Sequence, residues 1–436
     1  MATARRPRAL LKKLSNEETP VTLEFEKICV IGLGYVGLPT AAVFASRGVH
    51  VIGVDTNPAT VETINQGKIH IVEPDLDIMV NGAVSAGKLK ATGAPQTADA
   101  YIIAVPTPFM DDHKPDLSFV KAAALSIAPV LEAGALVIIE STCPVGTTDK
   151  VSEWLAAARS DLSFPHQAAD DADVQISHSP ERVLPGKVLL ELVRNDRVIG
   201  GISRRCAERT AVLYKIAVEG KCLLTTAATA ELVKLSENAY RDVNIAFANE
   251  LSLIADKMDI NVWEAVELAN HHPRVNILQP GPGVGGHCIA VDPWFIADSA
   301  PQESPLIQTA RKVNDGKPGH IVGKILTAAK QTGATTIACL GLAYKANIDD
   351  MRESPAVEIT AALADKFDGE VLVVEPNSPV LPEALDEAKG IELTDLDTAL
   401  NKAGVIALLV DHRDFKSIDR GRLKGKAIID TRGIWD

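Results

Sequence analysis

Residues 27–55 read KICVIGLGYVGLPTAAVFASRGVHVIGVD. The run 27–32 is apolar and strand-like, a helix is expected from about Leu38 to Ser46, and 49–55 reads as a second strand ending on Asp55. Strand, glycine turn, helix, strand and acid in that order make one βαβ unit. Gly32, Gly34 and Gly37 carry the GxGxxG spacing. The first glycine permits a tight turn, the second lets a dinucleotide pyrophosphate reach the backbone, and the third lets the helix pack on the strand. The unpaired N–H groups of the helix N-terminus then face the anion. Asp55 stands where an acid hydrogen-bonds a ribose 2′-OH and repels a 2′-phosphate, so the expected cofactor is NAD. A bare glycine turn can be purely structural. Its place between two strands, with an acid at the right distance, carries the cofactor reading.

Outward from this unit, strands recur at 100–105 and 135–139 with helical segments between them, the alternation of a parallel sheet covered on both faces. Residues 159–175 are polar, interrupted by Pro165, and read as a surface loop; RVIGG follows at 197–201. From about Thr226 the pattern changes. Leu232, Leu235, Ala239, Val243, Ala246, Phe247 and Leu251 recur at helical spacing in a stretch without Gly or Pro. At about 1.5 Å per residue such a helix spans on the order of 45 Å, long enough to connect domains and carry a subunit interface. A helix at 262–271 ends before Pro273, and 276–294 is a loop dense in Gly and Pro. Helices are expected at 304–314 and 317–332. The alternation restarts at 336–341, with a helix at 354–366 and strands at 370–375, 404–410 and 427–430. The expected fold class is α/β: two doubly wound Rossmann-like domains joined by a long central helix. The boundaries are a tail at 1–24, a NAD-binding domain at 25–222, a central helical domain at 223–332 and a second Rossmann-like domain at 333–436. The two α/β ends are alike in architecture, with no evident likeness in sequence.

The chain has 436 residues and a formal net charge of −13, with 46% hydrophobic and 23% charged residues. That length calls for roughly two or three domains. The charge argues against a nucleic-acid partner, which asks for a basic patch. No apolar run approaches the roughly 18 residues that cross a bilayer, so no membrane span is expected. The basic N-terminus (Arg5, Arg6, Arg8, Lys12, Lys13) is followed only by Ala9–Leu11 as an apolar patch, too short for a secretory leader. The six cysteines form no CxxC pair, and reduced thiols in the cytoplasm are the expectation.

Three further clusters carry chemistry. Gly283-x-Gly285-Gly286-His287-Cys288, followed by Asp292, puts a thiol in a loop without crowding side chains. A thiolate there is a nucleophile for an aldehyde, and Asp292 can serve as a base; an inert loop cysteine is the bland alternative. Lys234 and Asn238 share a helix face at i, i+4, with Arg241 three residues on. They can stabilise an oxyanion, or simply form a solvated charged face. Lys345 and Asp350-x-Arg352 follow a strand of the second α/β domain, where a switch-point crevice suits a nucleotide and a surface ion pair is the alternative. His271, His272, His287 and Cys288 lack the spacing of a zinc site, so no metal is expected.

The motifs GLGYVGLP (32–39), ESTCPVGTT (140–148), PERVLPG (180–186), the 231–251 helix, GPGVGGHC (281–288) and KANIDDMRESPA (345–356) together resemble the UDP-glucose/UDP-mannuronate dehydrogenase family over residues 26–436. The resemblance implies an NAD domain, a central helix that dimerises and a C-terminal UDP-binding domain. It implies a soluble homodimer that oxidises C6 of a UDP-sugar from primary alcohol to carboxylate with two NAD. Carried over by motif, Cys288 is the nucleophile, Lys234 and Asn238 hold the oxyanion, and Asp292 handles the proton or water. Thr142 joins the water network and the cofactor site, and Glu181 assists hydrolysis or holds its loop. Tyr35, Val36, Thr107 and Arg352 line the NAD site. Arg182, Val183, Arg241, Gly285 and Lys345 lie along the substrate, with Arg274 reaching it from a neighbouring subunit.

Two departures from the UDP-glucose pattern, Pro185 in place of a glutamate and Val291 in place of a lysine, point to an N-acetylhexosamine branch. The implied substrate is UDP-N-acetyl-D-mannosamine, on the way to surface polysaccharide, with UDP-N-acetylglucosamine and UDP-glucose as alternatives. A non-catalytic nucleotide-sugar sensor is the reading from another class. It has no use for a nucleophile.

Overall fold

The computed structural model describes residues 24–110, 114–184, 186–286, 289–386 and 388–435. Most of the expected tail, Pro185, His287 and Cys288 lie outside the described residues.

The N-terminal sheet has eight strands: β1 (Lys27–Ile31), β2 (His50–Val54), β3 (Leu89–Thr92), β4 (Ala100–Ile103), β5 (Leu136–Ile139), β6 (Gln175–His178), β7 (Arg197–Gly201) and β8 (Cys222–Thr226). Their order is β3-β2-β1-β4-β5-β6-β7-β8. The chain winds outward from β1 on one side and from β4 on the other, so the topological switch point lies between these two strands, where a crevice opens at their carboxyl ends. Alternate residues feed two cores: Ile28 and Val30 join one, Cys29 and Ile31 the other. Burial on both faces explains why β1 reads as a continuous apolar run.

The expectation of a purely parallel sheet fails at one pair. β6 and β7 are antiparallel, pairing Ser177 with Gly201 and His178 with Gly200. Among its described residues the connection 179–196 contains only the short helix Val188–Arg194, so the chain re-enters the sheet from the end where β6 finishes. Residues 180–184 thereby follow the end of β6 at the edge of the sheet where the switch-point crevice opens. β8 continues the sheet to Thr226, past the expected boundary at 222.

The central helix spans Ala227–Met258, 32 residues. Thr226 caps it, its hydroxyl accepting from the Thr229 N–H at 3.2 Å. Its buried stripe is small and polar (Ala230, Glu231, Ala239, Asp242, Ala246, Asn249, Ser252), so it meets its neighbours through bonds as much as through apolar bulk. The main neighbour is a helix running unbroken from Pro305 to Thr332, where two helices, at 304–314 and 317–332, were expected. An interior proline costs about 3 kcal/mol. Here the turns around Pro318 are locked by buried bonds to the central helix: Arg311 and Asn314 to Asp242, and Lys317 Nζ to Ser252 Oγ at 2.7 Å.

The C-terminal sheet is all parallel, with β9 (Thr336–Leu340), β10 (Glu370–Val374), β11 (Ile391–Leu393), β12 (Val405–Leu408) and β13 (Ala427–Asp430) in the order β11-β10-β9-β12-β13. A sequence likeness that was not evident before becomes visible in its first turn. Gly32 N–H donates to Val54 O (2.8 Å) and Leu33 N–H to the Asp55 carboxylate (3.1 Å). In the second domain Gly341 N–H donates to Val374 O (2.9 Å) and Leu342 N–H to the Glu375 carboxylate (2.7 Å). GLGY at 32–35 thus corresponds to GLAY at 341–344, with alanine at the second glycine. Burial pushes the Glu375 carboxyl up, but hydrogen bonds from His412 and from the Leu342 and Asn377 N–H groups win and hold it down at about 2.

Candidate active site

The glycine turn fits the cofactor reading residue by residue. Gly32 has φ +90°, and a Cβ there would stand 2.5 Å from Ala104 O; a Cβ on Gly37 would stand 1.8 Å from Gly32 O. A Cβ on Gly34 would meet nothing within 4 Å. Two glycines are therefore demanded by the protein itself, and the third leaves room for a group from outside the chain. Asp55 closes the turn through Leu33 N–H and Asn57 N–H (2.9 Å). Tyr35 is exposed beside the turn and Val36 half-buried at the helix start. The Arg352 guanidinium reaches across from the second α/β domain to within 5.8 Å of the Tyr35 ring centroid, anchored by Asp350 at 2.6 Å. Tyr35 and Arg352 both border a cavity of about 1130 Å³ between the two domains, together with Phe109, Val284, Ala290 and Trp294. Thr107 and Thr142 also meet: the Thr107 hydroxyl donates to Thr142 O at 2.6 Å.

On the central helix, Asn238 Nδ2 donates to Asp292 Oδ2 at 2.6 Å. Asp292 opens the helix Asp292–Ser299, which is pinned to the central helix by Leu235, Val291 and Phe295. Burial pushes the Asp292 carboxyl up to about 6, against the pull of the Lys234 ammonium and the Asn238 hydrogen bond. Lys234, Asn238 and Asp292, chosen from two separate motifs, thus form one electrostatic unit. The turn before them is fixed by a residue that sequence reasoning missed. Glu231 is fully buried and accepts from Gly146 N–H (2.7 Å), Thr148 N–H (2.8 Å) and the Thr148 hydroxyl (2.6 Å). It caps the helix Thr147–Ala158 from a distance and ties the ESTCPVGTT segment to the central helix.

Glu181 lies in a buried charge cluster. One of its oxygens accepts from Arg182 N–H at 2.7 Å, and the other stands 2.7 Å from the Arg197 guanidinium. Arg197 also pairs with Glu140, which receives the Thr40 hydroxyl (3.0 Å) and the Tyr214 hydroxyl (3.1 Å). Arg197 and Glu140 announced themselves in the sequence only as charges within apolar strand surroundings. Arg182 bridges to Glu237 of the central helix at 2.8 Å, and Val183 packs against the N-terminal core. His178 is fully buried with neither ring nitrogen bonded among the described residues; burial pushes its imidazole down to about 3, and Lys234 acts in the same direction.

Gly285 and Gly286 press the loop ahead of Cys288 onto the second domain: a Cβ on Gly285 would stand 2.4 Å from Glu353 O, and one on Gly286 (φ +83°) 3.0 Å from the Tyr344 ring. Lys345 is exposed beside a second small cavity lined by Gly283, Tyr344, Asp411 and Arg432, at the carboxyl ends of β9 and β12. Arg432, held by Asp411 at 3.1 Å, was not singled out from sequence. Arg241 and Arg274 are exposed and border neither cavity. Among the described residues no group of three or more His, Cys, Asp or Glu is placed to hold a metal, and no helix is long and apolar enough to cross a membrane.

The sequence matches the UDP-glucose/GDP-mannose dehydrogenase family in three successive parts: its NAD binding domain over residues 26–218, its central domain over 228–316 and its UDP binding domain over 338–436. A relative from Ralstonia nicotianae, an NDP-N-acetyl-D-galactosaminuronic acid dehydrogenase, is 58% identical over 415 residues, 95% of this chain and 97% of its own. A UDP-N-acetyl-D-mannosamine dehydrogenase from Yersinia pestis is 58% identical over 421 residues, 95% of this chain and 100% of its own. The solved structure of a UDP-D-ManNAc dehydrogenase from Pyrococcus horikoshii has a TM-score of 0.85 at 39% identity, covering 94% of this chain and 96% of that one.

Proposed function

Since the chain belongs to the UDP-glucose/GDP-mannose dehydrogenase family, we propose that this NAD-dependent UDP-sugar dehydrogenase oxidises C6 of UDP-N-acetyl-D-mannosamine to the uronate through a thiol-bound intermediate. The observation that carries the mechanism is the Asn238–Asp292 bond beside Lys234, which joins the central helix to the segment just after the Cys288 loop. Bound NAD supplies the hydride acceptor, used twice per sugar. The Cys288 sulfur adds to the C6 aldehyde, and the new oxyanion is met by the Lys234 ammonium and by the second amide hydrogen of Asn238. At the thioester stage one water adds to C6 and the C–S bond breaks, returning the thiol. Asp292 takes the proton of that water, a role suited to a buried carboxyl poised near neutrality. Glu181, with both oxygens engaged, holds the substrate loop rather than acting as a base.

The product serves as an N-acetylhexosaminuronate donor for surface polysaccharide, made in the cytoplasm by a homodimer. A second reading, the same chemistry on a galacto-configured UDP-N-acetylhexosamine, is favoured by the Ralstonia relative. A screen of UDP-N-acetylmannosamine, UDP-N-acetylgalactosamine, UDP-N-acetylglucosamine and UDP-glucose, counting NADH formed per sugar consumed, tests both. Two NADH with the manno substrate is expected. One NADH per sugar removes the four-electron mechanism, and preference for another sugar removes the substrate assignment. Cys288→Ala should abolish net acid formation.

A further inference from the structure

The loop that leads to Cys288 is gripped on its inner side by one side chain. Asn249 is fully buried on the central helix, and its Oδ1 accepts from the Gly281 N–H at 2.9 Å. Its Nδ2 donates to Asn314 Oδ1 at 2.9 Å. Asn314 in turn donates to Asp242 Oδ1 (2.8 Å) and to Asp242 O (3.1 Å), and Asp242 Oδ1 also receives Arg311 at 2.6 Å. Asp242, Asn314 and Arg311 are all buried.

This chain of bonds has a direction. The Asp242 carboxylate accepts only, so it demands the amide hydrogens of Asn314. That turns the Asn314 oxygen towards Asn249, which must answer with its own amide hydrogens and present its oxygen to Gly281. Arg311 balances the buried charge at the start of the series, without which it would be strongly unfavourable. A side-chain amide is otherwise indifferent to a half-turn; here a fixed charge two residues away in the network decides it.

We infer that Asn249, oriented by Asn314 and Asp242, is a positioning residue that sets the approach of the Cys288 loop to the Lys234–Asn238–Asp292 unit. On the outer side the same loop is fixed by Tyr344 and Glu353 against Gly285 and Gly286. The two grips act four to five residues apart in the loop, one from the central helix and one from the second α/β domain. The inference rests on the proposed thiol mechanism and concerns only how the loop is held.

The test compares Asn249→Leu, Asn314→Ser and Cys288→Ala in the full-length enzyme, with kcat, KM for NAD, and the rate of Cys288 alkylation by iodoacetamide. Asn249→Leu should lower kcat by about tenfold or more, as misplacement of reacting groups does. KM for NAD should stay within about twofold, because Asn249 does not line the cavity at Tyr35 and none of the glycine turn's hydrogen bonds involves it, and the alkylation rate should change with kcat. Asn314→Ser, which leaves Asn249 in place and releases its orientation, should move both readouts in the same direction by a smaller factor. A folded Asn249→Leu enzyme with wild-type kcat and alkylation rate overturns the inference. If Cys288→Ala keeps wild-type turnover, the thiol mechanism itself falls and the positioning question falls with it. Should neither amide variant fold, hydrogen exchange on the wild-type protein decides: slow exchange at Gly281 supports the bond, and exchange as fast as an exposed loop overturns it.

Discussion

At the residue scale the base of the proposed mechanism is tuned by two neighbours acting in the same direction. Burial raises the Asp292 carboxyl to about 6, while Lys234 and Asn238 lower it. The charged form is the working form, so kcat should fall on the acid side as pH drops through about 6. Asn238→Ala removes a bond that favours the charge, so the acid limb should move to higher pH, and Asp292→Asn should abolish it. A pH–rate profile of the three proteins checks the sign; a limb that moves to lower pH in Asn238→Ala contradicts it. The glycines allow a second test. Gly34→Ala meets no protein atom, so the variant should fold normally and lose NAD affinity by roughly tenfold (about 1.4 kcal/mol). Gly37→Ala drives a Cβ into Gly32 O and should lower the melting temperature. Calorimetry with and without NAD separates the two. These residues were legible because their chemistry is local: a glycine turn with its acid, or two side chains four apart on a helix, declare themselves by spacing. Glu231, Arg197 and Asn249 did not, because their partners are 85, 57 and 32 residues away in sequence. A charged or amide side chain on a helix has the same local pattern whether it is solvated or holds a distant backbone N–H.

At the scale of elements, burial decides what sequence pattern can reveal. β1, β4 and β5 are covered on both faces and read as apolar runs; β3 (LKAT), β8 (CLLTT) and β11 (IEL) are short or partly exposed and went unnoticed. They lie at the sheet edges, where only one neighbour and one covered face shape the composition. The break expected at 315–316 fails in the opposite sense, since the helix Pro305–Thr332 runs through it and is held by buried side-chain bonds to the central helix. The same reasoning makes the Glu231 carboxylate a joint between elements. It replaces the missing partners at the start of the helix Thr147–Ala158, so Glu231→Ala leaves buried donors unsatisfied and should destabilise by about 2 kcal/mol. Glu231→Gln keeps an acceptor and should lose less. Thermal unfolding orders the two, and equal losses would show that the contact contributes only packing.

At the scale of the whole molecule, the central helix presents a face that the other described residues leave open. Tyr240, Phe247 and Ile254 recur every seven residues and are 70%, 54% and 47% exposed. A repeat of seven on a helix forms one stripe along its length, and large side chains in such a stripe are typical of a partner's seat. Arg274 adds a second sign, being exposed and outside both cavities of its own chain, although the family resemblance assigns it to substrate. The proposed homodimer, if joined symmetrically along the central helix, would reconcile the two, with each Arg274 serving the other subunit's site. Phe247→Glu should then yield a monomer by analytical ultracentrifugation, with the turnover of both sites lost together. Mixing gives the sharper result. Arg274→Ala and Cys288→Ala should each be inactive alone, but co-expressed they form mixed dimers in which one site has its own Cys288 and its partner's Arg274. Random pairing makes half the dimers mixed, each with one complete site, so about a quarter of wild-type activity should return. If Arg274 acts within its own chain no site in any mixed dimer is complete at that residue and also has its thiol, and activity stays at the level of the separate variants.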